Sequence, residues 1–185
     1  MTLLIVLGVL VVIAIMVVSM YNSLVRLRNN RENAFADIDV QLKQRHDLIP
    51  QLVDTVKGYA SHEKETFDRV VNARNGAINA KSIDDKIAAE NNLSSALAGM
   101  KITLEAYPEL KANQNFLQLQ EEVSDIENKL SSVRRYFNSA TKELNNAVQS
   151  FPSNLIAGMF GFHKEIMFDL GEQRANLEEA PKINF

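Results

Sequence analysis

The chain opens on a solid apolar block: every position from 3 to 18 is aliphatic, Met or Ala except Gly8, and no charged side chain appears before Arg26. As a helix rising about 1.5 Å per residue, residues 3–21 match the ~30 Å hydrocarbon layer of a bilayer. A cleavable signal peptide would show Lys or Arg ahead of a shorter apolar core and a small-x-small site after it. Nothing basic precedes Leu3, and Val18-Ser19-Met20-Tyr21 offers no such site, so the block reads as a retained anchor. Beyond it the run becomes a stripe. Phe35, Ile38, Leu42, Arg45, Ile49, Leu52, Val56 and Tyr59 alternate spacings of three and four, lining one helix face with Arg45 as the interruption. No turn signal separates Tyr21 from this stripe, so the transmembrane helix is expected to continue into the domain as one element of roughly 37 residues, or ~55 Å. Pro50 removes the hydrogen bond to the carbonyl of His46 and should kink or restart the helix. Gly58 is the expected terminator and Ser61 the expected N-cap of the next helix.

A second helix is expected from about residue 62 to residue 80, with Phe67, Val70, Arg74 and Ala77 on its stripe, again including one Arg. Ser82 with Asp85 three residues on looks like a capping box opening a third helix, which carries Ala89, Leu93, Ala96, Met100 and Leu104. That helix must stop near Tyr107, because Pro108 disfavours helical geometry in the residue before it. The fourth keeps its alternation without a miss through Phe116, Leu119, Val123, Ile126, Leu130, Val133, Phe137, Ala140, Leu144, Ala147 and Phe151. Asn113 or Asn115 would cap its start, and Pro152 follows its end. Short connections make neighbouring helices antiparallel. The expected fold is all-α, an N-terminal transmembrane helix (1–25) continuing into an antiparallel up-and-down four-helix bundle (26–151), with a C-terminal apolar segment and extended tail (152–185).

The first and fourth helices are each near 55 Å and the middle two are shorter, so the fourth should return toward the bilayer alongside the first. It would deliver a second apolar concentration to the membrane surface: Leu155, Ile156, Met159, Phe160 and Phe162, then Ile166, Met167 and Phe168. This stretch is too short to span a bilayer. It either docks in the membrane interface or covers the end of the bundle, and the pattern leaves both open.

Composition narrows the function classes. Setting the anchor aside leaves about 160 residues, enough for one domain with a real core. Seven Gly and four Pro are too few for a turn-rich β-sandwich or a linker protein. The absence of Cys excludes disulfides, thiolate metal sites and a Cys nucleophile. With 20 Lys plus Arg against 23 Asp plus Glu, the net charge of −3 argues against nucleic acid as a partner, because that binding draws on clustered cations. Arg26, Arg28 and Arg31, with Lys43 and Arg45 further on, flank the anchor on its C-terminal side. The positive-inside rule then places the N-terminus outside and the domain in the cytoplasm. The anchor lacks a small-xxx-small pair, since Gly8 is followed four residues on by Val12.

Candidate chemistry is sparse. None of His46, His62 and His163 has a Glu three residues before it, and His62-Glu63 lacks the second His of a zinc helix, so neither a metal nor a cofactor is expected. No Gly-x-Ser-x-Gly elbow occurs, and Gly158 and Gly161 lie in an apolar segment without the Lys of a nucleotide loop. What stands out is Arg45-His46-Asp47 just before Pro50, three ionisable groups where a backbone carbonyl is freed. They form either a local polar network tying the helix to a neighbour or a pH-sensitive contact or partner docking point. Both readings require Arg45 to be partly buried.

Motifs in order along the chain carry a resemblance. They are Asn33-Ala34-Phe35-Ala36-Asp37-Ile38-Asp39-Val40-Gln41-Leu42-Lys43, then Arg45-His46-Asp47-Leu48-Ile49-Pro50, then Val56-Lys57-Gly58-Tyr59-Ala60 with His62-Glu63. Tyr107-Pro108-Glu109-Leu110-Lys111-Ala112-Asn113, Glu127-Asn128-Lys129, Phe151-Pro152-Ser153-Asn154-Leu155 and Ile183-Asn184-Phe185 complete the set. With these the sequence resembles the LemA family of bacterial membrane proteins along essentially its whole length, Phe35 standing where the family commonly shows Trp. The resemblance implies one N-terminal membrane helix, a four-helix bundle, no established enzymatic activity and no catalytic residues to carry over. Similar proteins are often encoded beside HtpX-type membrane zinc metalloproteases, which implies an accessory role in membrane protein quality control. The expected protein is a non-enzymatic scaffold or adaptor of the bacterial inner membrane that self-associates and organises such a partner. A sensor or tether whose Pro50 kink responds to pH is the alternative.

Overall fold

The computed structural model describes residues 1–60 and 62–168. Ser61, the terminal Ile183-Asn184-Phe185 motif and the tail beyond residue 168 lie outside the described residues. The elements are α1 (Thr2–Lys57), α2 (Lys64–Asn79), α3 (Ile83–Leu104), a 3-10 turn (Pro108–Ala112), α4 (Gln114–Gln149) and α5 (Ser153–Met159). The protein is all-α, with an N-terminal apolar helix continuing into an antiparallel up-and-down four-helix bundle, and no strand occurs among the described residues.

The 56 residues of α1 would extend about 84 Å at the α-helical rise. The helix does not restart at Pro50. Proline takes away one donor, and Ile49, Leu52, Val53 and Val56 remain buried on both sides of it, so packing holds the helix through the gap. Its N-terminal part is apolar and long enough to cross a membrane, with none of that stretch buried inside the protein.

The chain divides into two compact units. In Asp39–Ser131, the C-terminal part of α1 packs with α2, α3 and the first half of α4 around Ile49, Val53, Val56, Phe67, Val70, Leu93, Met100 and Phe116. Side-chain pairs give the register. Asp39 meets Lys86 (2.7 Å) and Arg45 meets Glu90 (3.2 Å), so α1 and α3 run the same way. Arg45 meets Glu127 (2.9 Å) and Tyr59 meets Asn113 (2.8 Å), so α4 runs against α1.

Helix ends follow local chemistry, with three departures from expectation. Ser82 accepts the Asp85 N–H at 3.0 Å and donates to the Asp85 carboxylate at 2.6 Å, so it caps α3 as expected. Asn113 caps α4 by accepting the Phe116 N–H at 3.0 Å. Gly58 follows the last residue of α1 but does not take the left-handed conformation of a glycine C-cap. Instead the Tyr59 and Ala60 N–H groups both turn back onto the Val56 carbonyl. The third helix ends at Leu104, earlier than Tyr107, and Pro108 opens a 3-10 turn that buries Leu110, a short element without a helical period to reveal it. Phe151 continues the fourth stripe on paper but is 81% exposed, because α4 stops at Gln149 and the period ends with it.

In the other unit, Met1–Ile38 with Ser132–Met167, the N-terminal part of α1 packs against the end of α4 and against α5. The Phe35 and Phe137 rings meet edge to face at 5.4 Å, and Leu24 belongs to a cluster flanked by Ala147 and Val148. These two contacts run in opposite chain directions, so α4 lies antiparallel to α1 here as well.

Candidate functional site

Two places in the fold concentrate unusual chemistry, one in each unit. In the four-helix bundle, Arg45 (2% exposed) and His46 (9%) point inward from α1 at the turn that precedes Pro50. The stripe put Arg45 on the core face, and only countercharges make that position tenable. Glu90 of α3, 1% exposed, supplies them with both carboxylate oxygens: Oε2 lies 3.2 Å from Arg45 Nη1 and Oε1 2.6 Å from His46 Nε2. A carboxylate only accepts, so His46 donates from Nε2. Arg45 also donates from Nη2 to Ser94 Oγ at 3.0 Å. Its Nε lies 2.9 Å from Glu127 Oε1 of α4, but that N–H is not aimed at the oxygen, so the contact is ionic rather than an aligned hydrogen bond. The His46 carbonyl, which Pro50 deprives of its helical donor, accepts from Arg74 Nε of α2 at 2.6 Å. All four helices therefore converge on one turn of α1.

The structure brings Arg45 and His46 together in this network and leaves Asp47 and Pro50 exposed at the surface. Glu90, Ser94 and Glu127 were not singled out in the sequence. Glu90 occupies an apolar register position, three residues before Leu93, and a lone acid on a core face opposite a lone base was the available signal. The chemistry of the network is mutual neutralisation. Its acids and bases are held by each other, and no group of three or more metal-ligating side chains exists among the described residues.

The second place is the end of α5. Leu155, Met159 and Phe160 are exposed, whereas Ile156 and Phe162 are buried against Leu24, Val17 and Met20 of α1. The segment that the sequence left between two readings is thus two-faced. Gly161 makes this possible. Its φ of +71° ends α5 in a left-handed turn, the Phe162 N–H returns to the Ala157 carbonyl at 3.0 Å, and Phe162 swings back onto α1. Phe162 then sits beneath the Arg28 guanidinium at 5.2 Å, and Phe160 packs against Tyr21 at 4.8 Å. Upstream, the Ser153 hydroxyl reaches the Ala147 and Ser150 carbonyls at 2.6 and 2.9 Å, closing the open end of α4 where it hands over to α5.

The extended segment after α5 is strapped down by two polar residues that were not singled out in the sequence. Buried Asn145 uses its amide twice on Glu165, accepting the backbone N–H and donating to the carbonyl, each at 2.8 Å. Buried Arg31 donates to the Ile166 carbonyl at 3.3 Å, pairs with the Glu165 carboxylate at 3.2 Å and stacks over Phe137 at 5.0 Å. Arg31 stands on a face with Leu24, Leu27, Ala34 and Phe35 and was reachable as an interruption of it, whereas Asn145 has Thr141, Lys142 and Gln149 around it and carried no such signal.

An exposed apolar span and a bundle whose interior charges cancel one another define a class, the membrane protein built around a helical bundle. The LemA family model matches residues 34–185, and the chain belongs to the LemA family. Protein LemA of Metamycoplasma hominis is 24% identical over 166 residues, covering 88% of this chain and 75% of that protein. The magnetosome protein MamQ of Magnetospirillum gryphiswaldense is 20% identical over 170 residues, covering 78% of this chain and 62% of MamQ.

Proposed function

We propose that the protein is a non-enzymatic scaffold or adaptor of the bacterial inner membrane, which self-associates and assists membrane protein quality control beside an HtpX-type membrane metalloprotease. The observation that carries this reading is the Arg45–Glu90–His46 network. Arg45, Glu90 and His46 are buried and paired with one another, which suits a rigid post rather than a group poised toward a substrate. The apolar span supplies the attachment, and the Arg26, Arg28 and Arg31 flank favours a cytoplasmic bundle with the N-terminus outside. Crosslinking in native membranes followed by mass determination tests the proposal. Homo-oligomeric species or a crosslinked membrane metalloprotease are expected; a strictly monomeric protein without a membrane partner overturns it. Protease accessibility in spheroplasts against inverted vesicles tests the orientation, with cleavage of the bundle expected in the inverted vesicles.

A second reading, the pH-responsive tether, is favoured by the 2.6 Å approach of His46 Nε2 to Glu90. The imidazole itself meets Glu90 from α3; Arg45 on its own helix shares that carboxylate and links it to Glu127 of α4, and Arg74 from α2 holds the His46 carbonyl rather than its ring. His46→Gln would keep a donor while removing the ionisable ring. Equal stability and partner binding in the variant and the parent between about pH 5 and 8 ends this reading.

A further inference from the structure

The exposed side of α5 is left uncovered by the described residues, yet the helix is fixed by its other side against the part of α1 that reads as a bilayer span. Ile156 and Phe162 pack on Leu24 with Val17 and Met20, residues at the C-terminal end of the apolar block, and Phe160 rests on Tyr21. Whatever depth Val17 to Tyr21 occupy, α5 occupies beside them. Charge agrees with this placement. There is no charged side chain from Thr2 to Val25 and none from Leu144 to Phe162. The first charges beyond the two blocks are Arg26 and Arg28 on α1, Lys142 and Glu143 on α4, and Lys164 and Glu165 after α5, so charge of both signs begins where the apolar blocks end. Leu155 and Met159 lie four residues apart on one face of α5, at 59% and 76% exposure, with Phe160 (53%) beside them and Phe151 (81%) just ahead of the helix. An apolar face of this kind, with Arg28 over Phe162 and charge beginning just beyond it, matches the boundary between headgroups and acyl chains.

We propose that this face is a second membrane contact: Phe151, Leu155, Met159 and Phe160 insert into the same leaflet that α1 leaves, while Ile156 and Phe162 clamp the wedge to α1. The occupant is lipid because the face continues the exposed apolar surface of the span, where Val18 is 57% exposed at the same level. The inference rests on α1 spanning the bilayer, and its test separates the two.

The chain has no Cys, so single labels can be placed on the full-length protein. An environment-sensitive fluorophore on Met159→Cys, Val18→Cys or Ser139→Cys is followed in phosphatidylethanolamine/phosphatidylglycerol vesicles with nitroxide lipids and with aqueous iodide. The label on Met159→Cys is expected to shift to the blue, to be quenched by shallow nitroxides and to lose iodide quenching, whereas that on Ser139→Cys shows the reverse. Leu155→Cys should repeat the Met159→Cys result. Iodide quenching of Met159→Cys equal to that of Ser139→Cys, with Val18→Cys still quenched by lipid, overturns the proposal and leaves the span intact. Shielding from iodide without lipid quenching, together with a disulfide-linked dimer of unlabelled Met159→Cys, assigns the face to a second copy and also overturns it. If Val18→Cys is not quenched by lipid, the span fails and the wedge with it.

Discussion

Arg74 of α2 donates to the His46 carbonyl of α1 at 2.6 Å, taking the place of the backbone donor that Pro50 cannot provide. A helix defect and a charged residue on the core side of another helix are thus two halves of one contact. The contact joins the packing of Ile49, Leu52, Val53 and Val56 in carrying α1 through Pro50 without a break, and it sets Arg74 of α2 against His46 of α1.

The coupling is measurable. A guanidinium hydrogen bond to a part-buried carbonyl contributes about 1.5–3 kcal/mol, so Arg74→Met should lose roughly that much stability in thermal melts followed by circular dichroism. Pro50→Ala restores a backbone donor to His46. In that background the Arg74→Met penalty should fall below about 1 kcal/mol, since the carbonyl is no longer orphaned. Equal penalties in both backgrounds would show that Arg74 acts through packing alone.

Glu90 is the partner shared by Arg45 and His46, with both oxygens engaged. Glu90→Leu leaves the buried guanidinium with the half-exposed Glu127 as its remaining countercharge, beside the neutral Ser94 hydroxyl, and should destabilise the bundle by about 3 kcal/mol, the lower end of the cost of breaking a buried pair. Replacing Arg45 and Glu90 together with Met and Leu should recover most of that loss, because the unpaired charge disappears. Crosslinking of the double variant then separates stability from assembly: unchanged partners assign the network to the fold, and lost partners assign it to specificity.

Gly161 stands at a φ of +71° with nothing within 4 Å of where a Cβ would sit. Gly161→Ala therefore carries a conformational cost without a steric one, about 1–2 kcal/mol. It should be read as faster hydrogen exchange at the Phe162 amide, whose bond to Ala157 closes the turn, with exchange at Leu93 and Val53 unchanged.

Partial burial of Tyr107, with the Glu63 carboxylate beside it accepting its hydroxyl at 3.3 Å, raises the phenol above the ordinary tyrosine value of 10.0. The folded state thus holds the proton more tightly than the unfolded chain. Its contribution to stability is complete below the unfolded value and is lost as pH rises through the folded one. Ultraviolet titration of the phenolate should show the Tyr107 step moving down in Glu63→Gln, and a step that stays in place would remove Glu63 as a cause.

The sequence announced the span, the four bundle helices and most of their core, because those depend on periodicity and on local chemistry. Ser82, Asn113 and Pro108 each signal through their own neighbours within four residues. Arg45 and Arg74 were visible as interruptions of apolar stripes, but what answered them was not. Glu90 lies 45 residues from Arg45, and no local rule connects the two.

The sequence by itself determined that this is an all-α chain with an N-terminal apolar span and a second apolar concentration after α4, since hydrophobic period and composition act along the chain. Only the tertiary structure decided that Glu90 neutralises Arg45 and His46, that Arg74 completes the backbone at Pro50, and which residues of α5 face inward. Burial and pairing depend on which faces meet across helices, and a one-dimensional pattern records each face without its partner.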